Sequence, residues 1–533
     1  MPSEFDLLIR NARIADGTGN PSFAGDVGIR GGKIVSVDRK IDGNARKTID
    51  AAGRVAAPGF IDAHSHDDLF PFLKTDCDEK VLQGVTTTIA GNCGTSPVAV
   101  GEAYFPELMD ALKFMGAAEI PPSRWFKSFS DYLERLDSVR PGINIGALIG
   151  HGSVRIAAMG NANRAPSGAE LETMESLVGE AMEAGALGIS TGLAYIPGNY
   201  AGKEELVCLG RIAARHNGVL TSHIRSERDQ VVEAIEEVIA VGDTAGLPVQ
   251  ISHLKTAGTN NWGRSEEVLD LLRRARSKGT EATCDVYPYC ASSTSLSALL
   301  PYHIMAGGAA SYSLRLKDPA VRRAIVREIE ENTDWENMLK GTGFDRIVLN
   351  RSGIYRDYLG LTLAQIAEKK DVNPYDLIFD LVAAEGHGAG IILFSMDEDD
   401  VRRILQSPLS MVGSDGGPKT GSAMNHPRFC GTFPRVLSKY VREEGVLKLE
   451  EAIRKMTSFA ARTFGIKGKG LLKEGFDADI VVFDPQAVKD CATFENPSAK
   501  PEGIDLVIVN GVPAVEDGKL TGNRSGRVIR RGA

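Results

Sequence analysis

The sequence predicts an α/β protein: a (β/α)8 TIM-like barrel accompanied by a small β domain to which both ends of the chain contribute. Two observations predict the barrel: short apolar runs alternate with helical patterns through the middle of the chain, and these runs number eight. A third observation predicts the small domain, because both ends read as short strands separated by glycine turns. At 533 residues, the chain is long enough for one large domain and one or two lesser ones.

The two ends of the chain have the same strand-and-turn character. Their β-rich runs are 5–10, 26–30 and 33–38 near the amino terminus and 479–484 and 505–511 near the carboxyl terminus. Gly31 and Gly32 together are a hairpin signal. Because chain termini commonly lie close together, we predict one β domain from residues 1–58 and 467–533.

Residues 59–466 have the pattern of a parallel barrel. Eight apolar runs lie at 60–66, 85–90, 143–149, 186–190, 219–223, 247–253, 281–287 and 410–415. Helical patterns separate several of them, such as 167–184, 227–245 and 265–277. This alternation is typical of a parallel sheet, and eight is the strand count of a (β/α)8 barrel. A further apolar run at 391–394 could be a ninth strand, so the sequence is compatible with either eight or nine strands in this region.

The alternation fails between about 290 and 360, after the seventh predicted strand. Glycine, serine and a charged, helix-like stretch occupy this segment. Insertions at that place in a barrel lie on the face that carries the active site. We therefore expect an insertion that acts as a lid.

The composition is ordinary for a soluble globular protein, with 43% hydrophobic and 25% charged residues. A net charge of −9 provides no electrostatic reason to expect nucleic acid or an anionic membrane surface as a partner. The first residues lack the basic-then-apolar pattern of a signal peptide, and no apolar run approaches the ~20 residues of a membrane span. Seven scattered cysteines do not make a disulfide framework, so the expected location is cytoplasmic.

The first predicted barrel strand ends in two histidines one residue apart, His64 and His66. Alternate side chains of a strand share a face, so both imidazoles project from its carboxyl end. Imidazole suits zinc and its neighbours, and two converging rings form half of a metal site. Alone, the pair is equally compatible with two structural histidines.

Three further polar residues end predicted strands: His223, His253 and Asp415. In a parallel barrel, catalytic groups gather where the strands have their carboxyl ends. Five such residues in one register predict a metal site rather than scattered core histidines. Such a site keeps a position open for water, and the Asp415 carboxylate is the candidate to take that water's proton.

Cys93 follows the second predicted strand, among glycines and again at a carboxyl end. Free cysteine is among the most buried residue types, so simple packing is the alternative. In this position, a thiolate metal ligand is at least as well supported. The remaining cysteines are interpreted as core filler: Cys77, Cys208, Cys284, Cys290, Cys430 and Cys491.

Together these residues resemble the amidohydrolase superfamily, and more narrowly the N-acyl-D-amino-acid deacylases, or D-aminoacylases. The similarity extends over nearly the whole chain, from residues 15–19 to the terminal strands. The motifs that carry it are 58–67 (PGFIDAHSHD), 91–94 (GNCG), 252–255 (SHLK), 287–289 (YPY), 413–416 (GSDG) and 426–428 (HPR).

The resemblance implies a zinc-carrying barrel flanked by a β-sandwich from both termini. It implies one tight zinc held by Cys93, His223 and His253. A weaker second position, whose occupancy stays open, is implied by the remaining ligands: His64, His66 and Asp415. Hydantoinases and dihydroorotases of the superfamily instead bridge two metals with a carboxylated lysine from the fourth strand. The fourth predicted strand here contains no lysine, so the deacylases are the better match.

The resemblance also concerns the substrate's α-carboxylate, which a largely apolar pocket must meet with cations and hydrogen-bond donors. Four residues match the positions that bind it in the deacylases: Lys255, Tyr287, Ser293 and Arg428. Without the resemblance, surface charge or ordinary packing would be the preferred interpretation of each. His151, at the end of the third predicted strand, either lines the pocket or supports a residue that does.

The function that the resemblance implies is zinc-dependent cleavage of N-acyl-D-amino acids to a carboxylate and a free D-amino acid. Asp415 would pass the proton to the departing amine. Two alternatives stay open: a cyclic-amide hydrolase of the hydantoinase or dihydropyrimidinase kind, and a non-catalytic scaffold with the amidohydrolase fold. The ten residues after Tyr287 contain no basic group, which disfavours a dedicated pocket for acidic side chains. The preferred side chain, the acyl group and the oligomeric state stay open.

Overall fold

The computed structural model of the chain describes residues 4–331, 335–417 and 424–532. Parts of the predicted β domain (1–3 and 533), insertion (332–334) and barrel (418–423) lie outside the described residues. The strands are β1 (Phe5–Ile14), β2 (Phe23–Arg30), β3 (Lys33–Asp38), β4 (Ala45–Asp50), β5 (Val55–Pro58), β6 (Phe60–Asp62), β7 (Val85–Ala90), β8 (Asn144–Ala147), β9 (Ile149–Gly150), β10 (Gly188–Gly192), β11 (Val219–His223), β12 (Val249–Ile251), β13 (Ala282–Val286), β14 (Ser292–Ser295), β15 (Ile347–Arg351), β16 (Gly390–Leu393), β17 (Ser410–Val412), β18 (Ile480–Phe483), β19 (Ile504–Val509), β20 (Val512–Glu516), β21 (Lys519–Leu520) and β22 (Val528–Ile529).

The α-helices are α1 (Phe70–Leu73), α2 (Asp78–Val81), α3 (Phe105–Ala111), α4 (Phe129–Ser138), α5 (His151–Met159), α6 (Gly168–Ala184), α7 (Lys203–Arg215), α8 (Val231–Ala245), α9 (Ser265–Ser277), α10 (Tyr302–Met305), α11 (Gly308–Arg315), α12 (Pro319–Glu331), α13 (Leu363–Lys370), α14 (Pro374–Glu385), α15 (Glu398–Gln406), α16 (Arg428–Arg435), α17 (Leu449–Met456) and α18 (Ser458–Thr463). A π-helix spans Val436–Glu443 and continues α16. Among the described residues, no helix combines the length and the apolar character that crossing a bilayer requires.

Parallel strands close into a barrel, which confirms the predicted (β/α)8 fold. One ladder runs β6-β7-β8, with β22 from the carboxyl-terminal segment beside β8, and another runs β9-β10-β11-β12-β13-β17. Only Leu148 separates β8 from β9, so the two ladders share one strand position and the barrel has eight. The barrel closes between the segments that follow β6 and β17. There the backbone N–H of Asp415 donates to the His64 carbonyl (2.8 Å) and that of His66 donates to the Gly416 carbonyl (2.8 Å).

Local sequence explains why these elements form where they do. Every residue of β7, with the sequence VTTTIA, is buried, as expected for a β-branched strand that is covered on both faces. Helix α6 starts at a capping box, in which the Ser167 hydroxyl accepts from the Glu170 backbone N–H and the Glu170 side chain bonds back. It ends at Gly185, whose φ of 106° is available to glycine at little cost.

Both termini contribute to one nine-stranded sheet, which confirms the predicted β domain built from the two ends of the chain. Its order is β21-β20-β19-β18-β5-β1-β2-β3, with β4 beside β1. The two ends of the chain meet where β18 runs antiparallel to β5, pairing Ile480 with Pro58 and Phe483 with Val55. The domain therefore exists only when distant parts of the chain come together.

The segment from β14 to β16 is inserted between the barrel strands β13 and β17. Its three strands form a separate antiparallel sheet in the order β14-β16-β15. Helices α10–α14 pack on this sheet around an apolar cluster that includes Leu299, Ile325, Ile366 and Leu381. The apolar run at 391–394 thus belongs to β16 at the centre of the inserted sheet, and not to the barrel.

Candidate metal centre and substrate pocket

The carboxyl ends of five barrel strands bring the predicted metal ligands together. His64 follows β6, Cys93 follows β7, His223 ends β11, His253 follows β12 and Asp415 follows β17. All five side chains are buried. Ligand atoms of His64, Cys93, His253 and Asp415 all lie within 4.8 Å of one another. The residues with metal-binding chemistry therefore converge on one small volume.

Cys93 lies at the centre of this group. Its Sγ is 3.3 Å from Nε2 of His64 and 3.3 Å from Nε2 of His253. Burial would raise the pKa of the Cys93 thiol, but the imidazoles of His64 and His253 outweigh burial and hold it well below its usual value. The thiolate is the form of cysteine that binds metal.

His223 is packed between other aromatic rings but makes no hydrogen bond to the described residues. It forms a second cluster with Glu227 and His253, and its ring lies 4.5 Å from that of His253 between centroids. Neither ring nitrogen of His223 has a hydrogen-bond partner among the residues that the structure describes, although both atoms are buried. Since buried polar atoms are normally satisfied, an imidazole of this kind fits a bound metal ion.

His66 and Asp415 form the outer part of the group. His66 Nε2 is 3.2 Å from Asp415 Oδ1, and His64 Nε2 is 3.6 Å from the same oxygen. Arg428 Nη1 lies 2.8 Å from the other oxygen, Oδ2. Burial opposes ionisation of Asp415, but Arg428 and His253 hold the pKa of this carboxyl well below its usual range. The Asp415 carboxyl is therefore ionised at neutral pH.

Anionic neighbours favour the protonated form of two of these histidines, His66 and His253. Burial alone would lower the pKa of His66, yet Asp415 and Cys93 raise it to about 9. Burial and Lys255 also oppose protonation of His253, yet Glu227 and Cys93 raise its pKa to about 9. An anionic donor set that takes up protons in this way suits a divalent cation, which would displace them.

Two carboxylates that were not predicted from the sequence, Asp285 and Glu227, lie beside the Nδ1 atoms of His64 and His253. Asp285, in β13, lies 3.3 Å from His64 Nδ1 and accepts from the His253 backbone N–H at 2.9 Å. Glu227 lies 2.9 Å from His253 Nδ1. Carboxylates on the far nitrogen of a ligating histidine fix its tautomer and orientation. The sequence contained a clue to each carboxylate. Asp285 lies in a predicted barrel strand, and Glu227 is four residues after the predicted ligand His223.

The four predicted substrate residues lie around the same centre, in two adjoining parts of the pocket. Ser293 and Arg428 line the main cavity, of about 230 Å³, together with Cys93, His253 and Asp415. Lys255 and Tyr287 line a smaller recess that His223, His253 and Asp415 also border. The structure thus brings all four to the metal centre.

Their contacts differ in a way that matters for binding. Lys255 Nζ is held 2.5 Å from Glu227 Oε1 and 2.8 Å from His253 Nδ1. The Arg428 guanidinium stacks 4.8 Å above the Tyr287 ring, which directs it toward the cavity. Both cations are therefore engaged, Lys255 with Glu227 and His253 and Arg428 with Asp415.

His151 lies away from the cavity. It is fully buried, and its Nε2 is 2.8 Å from Glu205 Oε1, whose other oxygen pairs with Arg155 at 2.5 Å. This ion pair ties α5 to α7, so His151 supports the barrel wall and does not line the pocket.

Comparison with known proteins places the chain among metal-dependent amide hydrolases. A model described as the Amidohydrolase family matches residues 47–289 and 372–515. The D-aminoacylase of Alcaligenes xylosoxydans xylosoxydans is 36% identical over 529 residues, which cover 99% of this chain and 98% of that protein. The N-acyl-D-glutamate deacylase of the same organism is 38% identical over 533 residues, which cover 100% of this chain and 98% of that protein.

A solved structure matches equally well. It is an N-acyl-D-glutamate deacylase from Bordetella bronchiseptica, complexed with zinc and a phosphonate inhibitor that mimics the tetrahedral intermediate. The TM-score is 0.83 at 38% identity, and the match covers 99% of both chains.

Proposed function

The chain belongs to the amidohydrolase superfamily and, within it, to the N-acyl-D-amino-acid deacylases, and from this premise we propose that it hydrolyses the amide bond of N-acyl-D-amino acids with zinc. The products are a carboxylate and a free D-amino acid. The observation that carries the proposal is the buried set of Cys93, His253 and Asp415 beside a histidine with unsatisfied ring nitrogens, at one mouth of the barrel.

The donor set of the chain fits zinc. Cys93, His223 and His253 would hold the tight ion, because a thiolate and two imidazoles are ligands that zinc prefers. A weaker second position would use the outer ligands: His64, His66 and Asp415. When bound, zinc supplies a Lewis acid that polarises the amide carbonyl and activates water.

Asp415 is the proposed proton carrier. Its pKa is held well below the usual range by Arg428 and His253, so it is ionised and can accept the proton of the attacking water. The same carboxyl then delivers the proton to the nitrogen of the departing amine. Its contact with Arg428 at 2.8 Å keeps it oriented toward the cavity through both steps.

Binding of the substrate's α-carboxylate is assigned to Lys255, Tyr287, Ser293 and Arg428. Arg428 is the principal group, because it lines the cavity and its guanidinium retains N–H donors besides the one that faces Asp415. With the α-carboxylate and the acylamino group both fixed, the two enantiomers differ in the direction of the side chain, so selection of the D form depends on the part of the wall that meets the side chain.

The remaining parts of the proposal concern the whole chain. Residues 59–466 would form the catalytic barrel, with a lid that includes 290–360, while residues 1–58 and 467–533 would form the β-sandwich. The lid assignment is supported by Ser295, Tyr302 and Arg351, which line the cavity. We place the enzyme in the cytoplasm, with small-molecule substrates and no nucleic-acid or membrane partner, since its net charge is −9 and its cysteines are all free.

Substrate assays on the zinc-loaded protein test this proposal. We expect hydrolysis of N-acetyl-D-amino acids, slower or absent hydrolysis of their L enantiomers, and none of hydantoin or dihydrouracil. Hydrolysis of the cyclic compounds alone would establish the cyclic-amide alternative. Full zinc occupancy without turnover in a broad amide panel would establish a non-catalytic scaffold.

A further inference from the structure

The outer wall of the cavity carries a cation that the proposed chemistry does not use. Arg351 is the last residue of β15 and lines the same cavity as Cys93, His253 and Asp415. In the inserted sheet, Arg351 lies opposite Gly390, and Gly390 lies opposite Ser295 of β14. Arg351 is therefore part of the wall that the inserted sheet contributes to this cavity.

The guanidinium of Arg351 is positioned by the backbone and left without an ion pair. Its Nε donates to the Gly388 carbonyl at 2.8 Å, and its Nη2 donates to the His387 carbonyl at 3.4 Å. Within residues 4–331, 335–417 and 424–532, no carboxylate oxygen lies within 4 Å of it. Two backbone carbonyls thus fix the plane of the guanidinium and leave Nη1 available to a ligand.

The nearest carboxylates are engaged elsewhere. Glu385 accepts from the Ser352 hydroxyl at 2.5 Å and from the backbone N–H of Gly353 at 2.7 Å. Asp110 lies 3.9 Å from Nε2 of His387 and does not line the cavity. Asp415 is paired with Arg428. Glu385 offsets part of the Arg351 charge from a distance, but no carboxylate in the described part of the chain forms a direct ion pair with it.

An exposed cation, Lys113, and a carboxylate, Asp110, lie near the turn that Arg351 contacts, outside the cavity lining. A methyl group built on Gly388 would lie 2.9 Å from Nζ of Lys113, so the Lys113 ammonium lies against the same turn that Arg351 holds. His387 in this turn directs its Nδ1 to the Ser297 hydroxyl at 2.8 Å. A partly buried cation without a partner is unfavourable, and an anionic ligand would relieve that cost.

We propose that Arg351 binds a second carboxylate of the substrate, so that the enzyme prefers N-acyl-D-amino acids with two carboxylates. The inference rests on the proposed function and specifies its substrate class. The α-carboxylate is already provided for by Arg428 and its neighbours, so the anion at Arg351 is a different group. It belongs either to an acidic side chain or to a dicarboxylic acyl group, since both would place a carboxylate beyond the scissile amide.

The spacing of the inserted sheet is compatible with this assignment. Two strand spacings of ~4.8 Å and two residue steps of ~3.3 Å separate the backbones of Arg351 and Ser293 by about 12 Å. The arginine side chain and a substrate arm of several atoms together span that gap. The ten residues after Tyr287 contain no basic group that could bind an acidic side chain. Arg351 of β15, about sixty residues further along the chain, would supply that group instead.

Kinetics with three substrates on the zinc-loaded enzyme test the inference: N-acetyl-D-glutamate, N-succinyl-D-leucine and N-acetyl-D-leucine. We expect a higher kcat/KM for one of the two dicarboxylates than for N-acetyl-D-leucine, and the preferred one identifies the source of the second carboxylate. Arg351→Met should lower kcat/KM for that substrate about 10- to 100-fold, mainly through KM, as expected for a lost charge-assisted hydrogen bond. It should leave N-acetyl-D-leucine within about twofold, and Arg351→Lys should restore part of the loss.

Arg323→Met is the matched control, because Arg323 is exposed on α12 of the same insertion. It should change none of the three activities. An equal loss on all three substrates in Arg351→Met would show that Arg351 only holds the Gly388 turn, and would overturn the inference. Wild-type turnover of N-acetyl-D-leucine without preference for either dicarboxylate would also overturn it while the proposed function stands. Absence of turnover with every substrate would reject both.

Discussion

At the scale of single residues, three of the proposed metal ligands share an unusual backbone conformation. Cys93, His253 and Asp415 have φ values of 52°, 36° and 49°, in the left-handed region that side chains seldom adopt. Each such residue costs on the order of 1 kcal/mol or more, and it persists only where the surroundings determine it. The strain coincides with the strand ends that turn sharply to direct a ligand into the cavity, which is consistent with a function for all three.

Asp415→Asn separates catalysis from metal binding. The amide cannot take up the proton of the attacking water, so we expect kcat to fall about 10²- to 10⁴-fold or more. The tight zinc should remain, because Cys93, His223 and His253 are unchanged. Metal analysis of the purified variant, together with turnover of an N-acetyl-D-amino acid, checks both parts. Retention of more than a tenth of wild-type activity would exclude Asp415 as the proton carrier.

Cys93→Ala tests the ligand assignment directly. Loss of the thiolate leaves two imidazoles for the tight ion, so zinc content after dialysis should fall from about one per chain to well below one. Cys208→Ala is the control, since Cys208 lies on α7 and contacts Glu175, outside the cavity. Unchanged zinc in Cys93→Ala, or equal loss in both variants, would contradict the assignment.

At the scale of elements, the loop after β7 is the most constrained part of the site. Gly91 has a φ of 80°, and a methyl group on its Cα would collide with the carbonyl of Leu148 between β8 and β9. Gly94 in the same loop has a φ of 75° and packs against the backbone of Gly192 at the end of β10. Cys93 is thus held between two glycines whose lack of a side chain lets three neighbouring strands approach one another.

Gly91→Ala should therefore displace Cys93. We expect a loss of stability of several kcal/mol and weaker zinc binding, because both the positive φ and the contact with Leu148 oppose a methyl group. Gly53→Ala provides a matched control: it has the same φ of 80°, but no described atom lies within 4 Å of the added methyl. Urea unfolding and zinc titration of the two variants measure the effect. Equal losses of stability and zinc affinity in the two variants would show that the positive φ alone causes the effect, and that the contact with Leu148 contributes nothing.

At the scale of the whole molecule, buried ion pairs connect the two ends of the chain. Asp477 lies between Lys33 of β3 (2.6 Å), Lys469 (3.1 Å) and Arg527 (2.5 Å). Its side chain is 6% exposed. Burial opposes ionisation, but Lys469 and the hydrogen bond from Lys33 lower the pKa of Asp477 from 3.8 to about 2. One carboxylate therefore connects an amino-terminal strand with two carboxyl-terminal segments.

The sign of the pH effect follows from that depressed pKa. Because the folded state holds the proton less tightly than the unfolded state, Asp477 contributes about 2 kcal/mol of stability above pH 4. This contribution is lost as the pH falls from about 4 to 2. Asp477→Asn should thus destabilise the protein at pH 7 by about 1–3 kcal/mol, and its difference from wild type should narrow by pH 3. Urea unfolding at pH 7, 4 and 3 checks this, and a constant difference would reject it.

Several features of the fold and the site could be predicted from the chain alone. The apolar runs at 85–90 and 219–223 coincide with β7 and β11. A parallel strand buried on both faces is a nearly uninterrupted apolar run, so it can be recognised without knowing which strands pair with it. His64, His253 and Asp415 could be located for the same reason: each directly follows a recognisable strand. The order of ligands along the chain thus follows from local pattern and from the geometry of a parallel barrel.

Tertiary structure alone decided which groups meet across the pocket. The apolar run at 391–394 is indistinguishable from a barrel strand by composition, and only its pairing with β14 and β15 assigns it to the inserted sheet. Arg351 belongs to a segment whose separation in sequence from the metal ligands carries no information about its distance from them. Local chemistry determined what each segment can do, and the closure of the barrel beneath the inserted sheet determined which segments act on the same molecule.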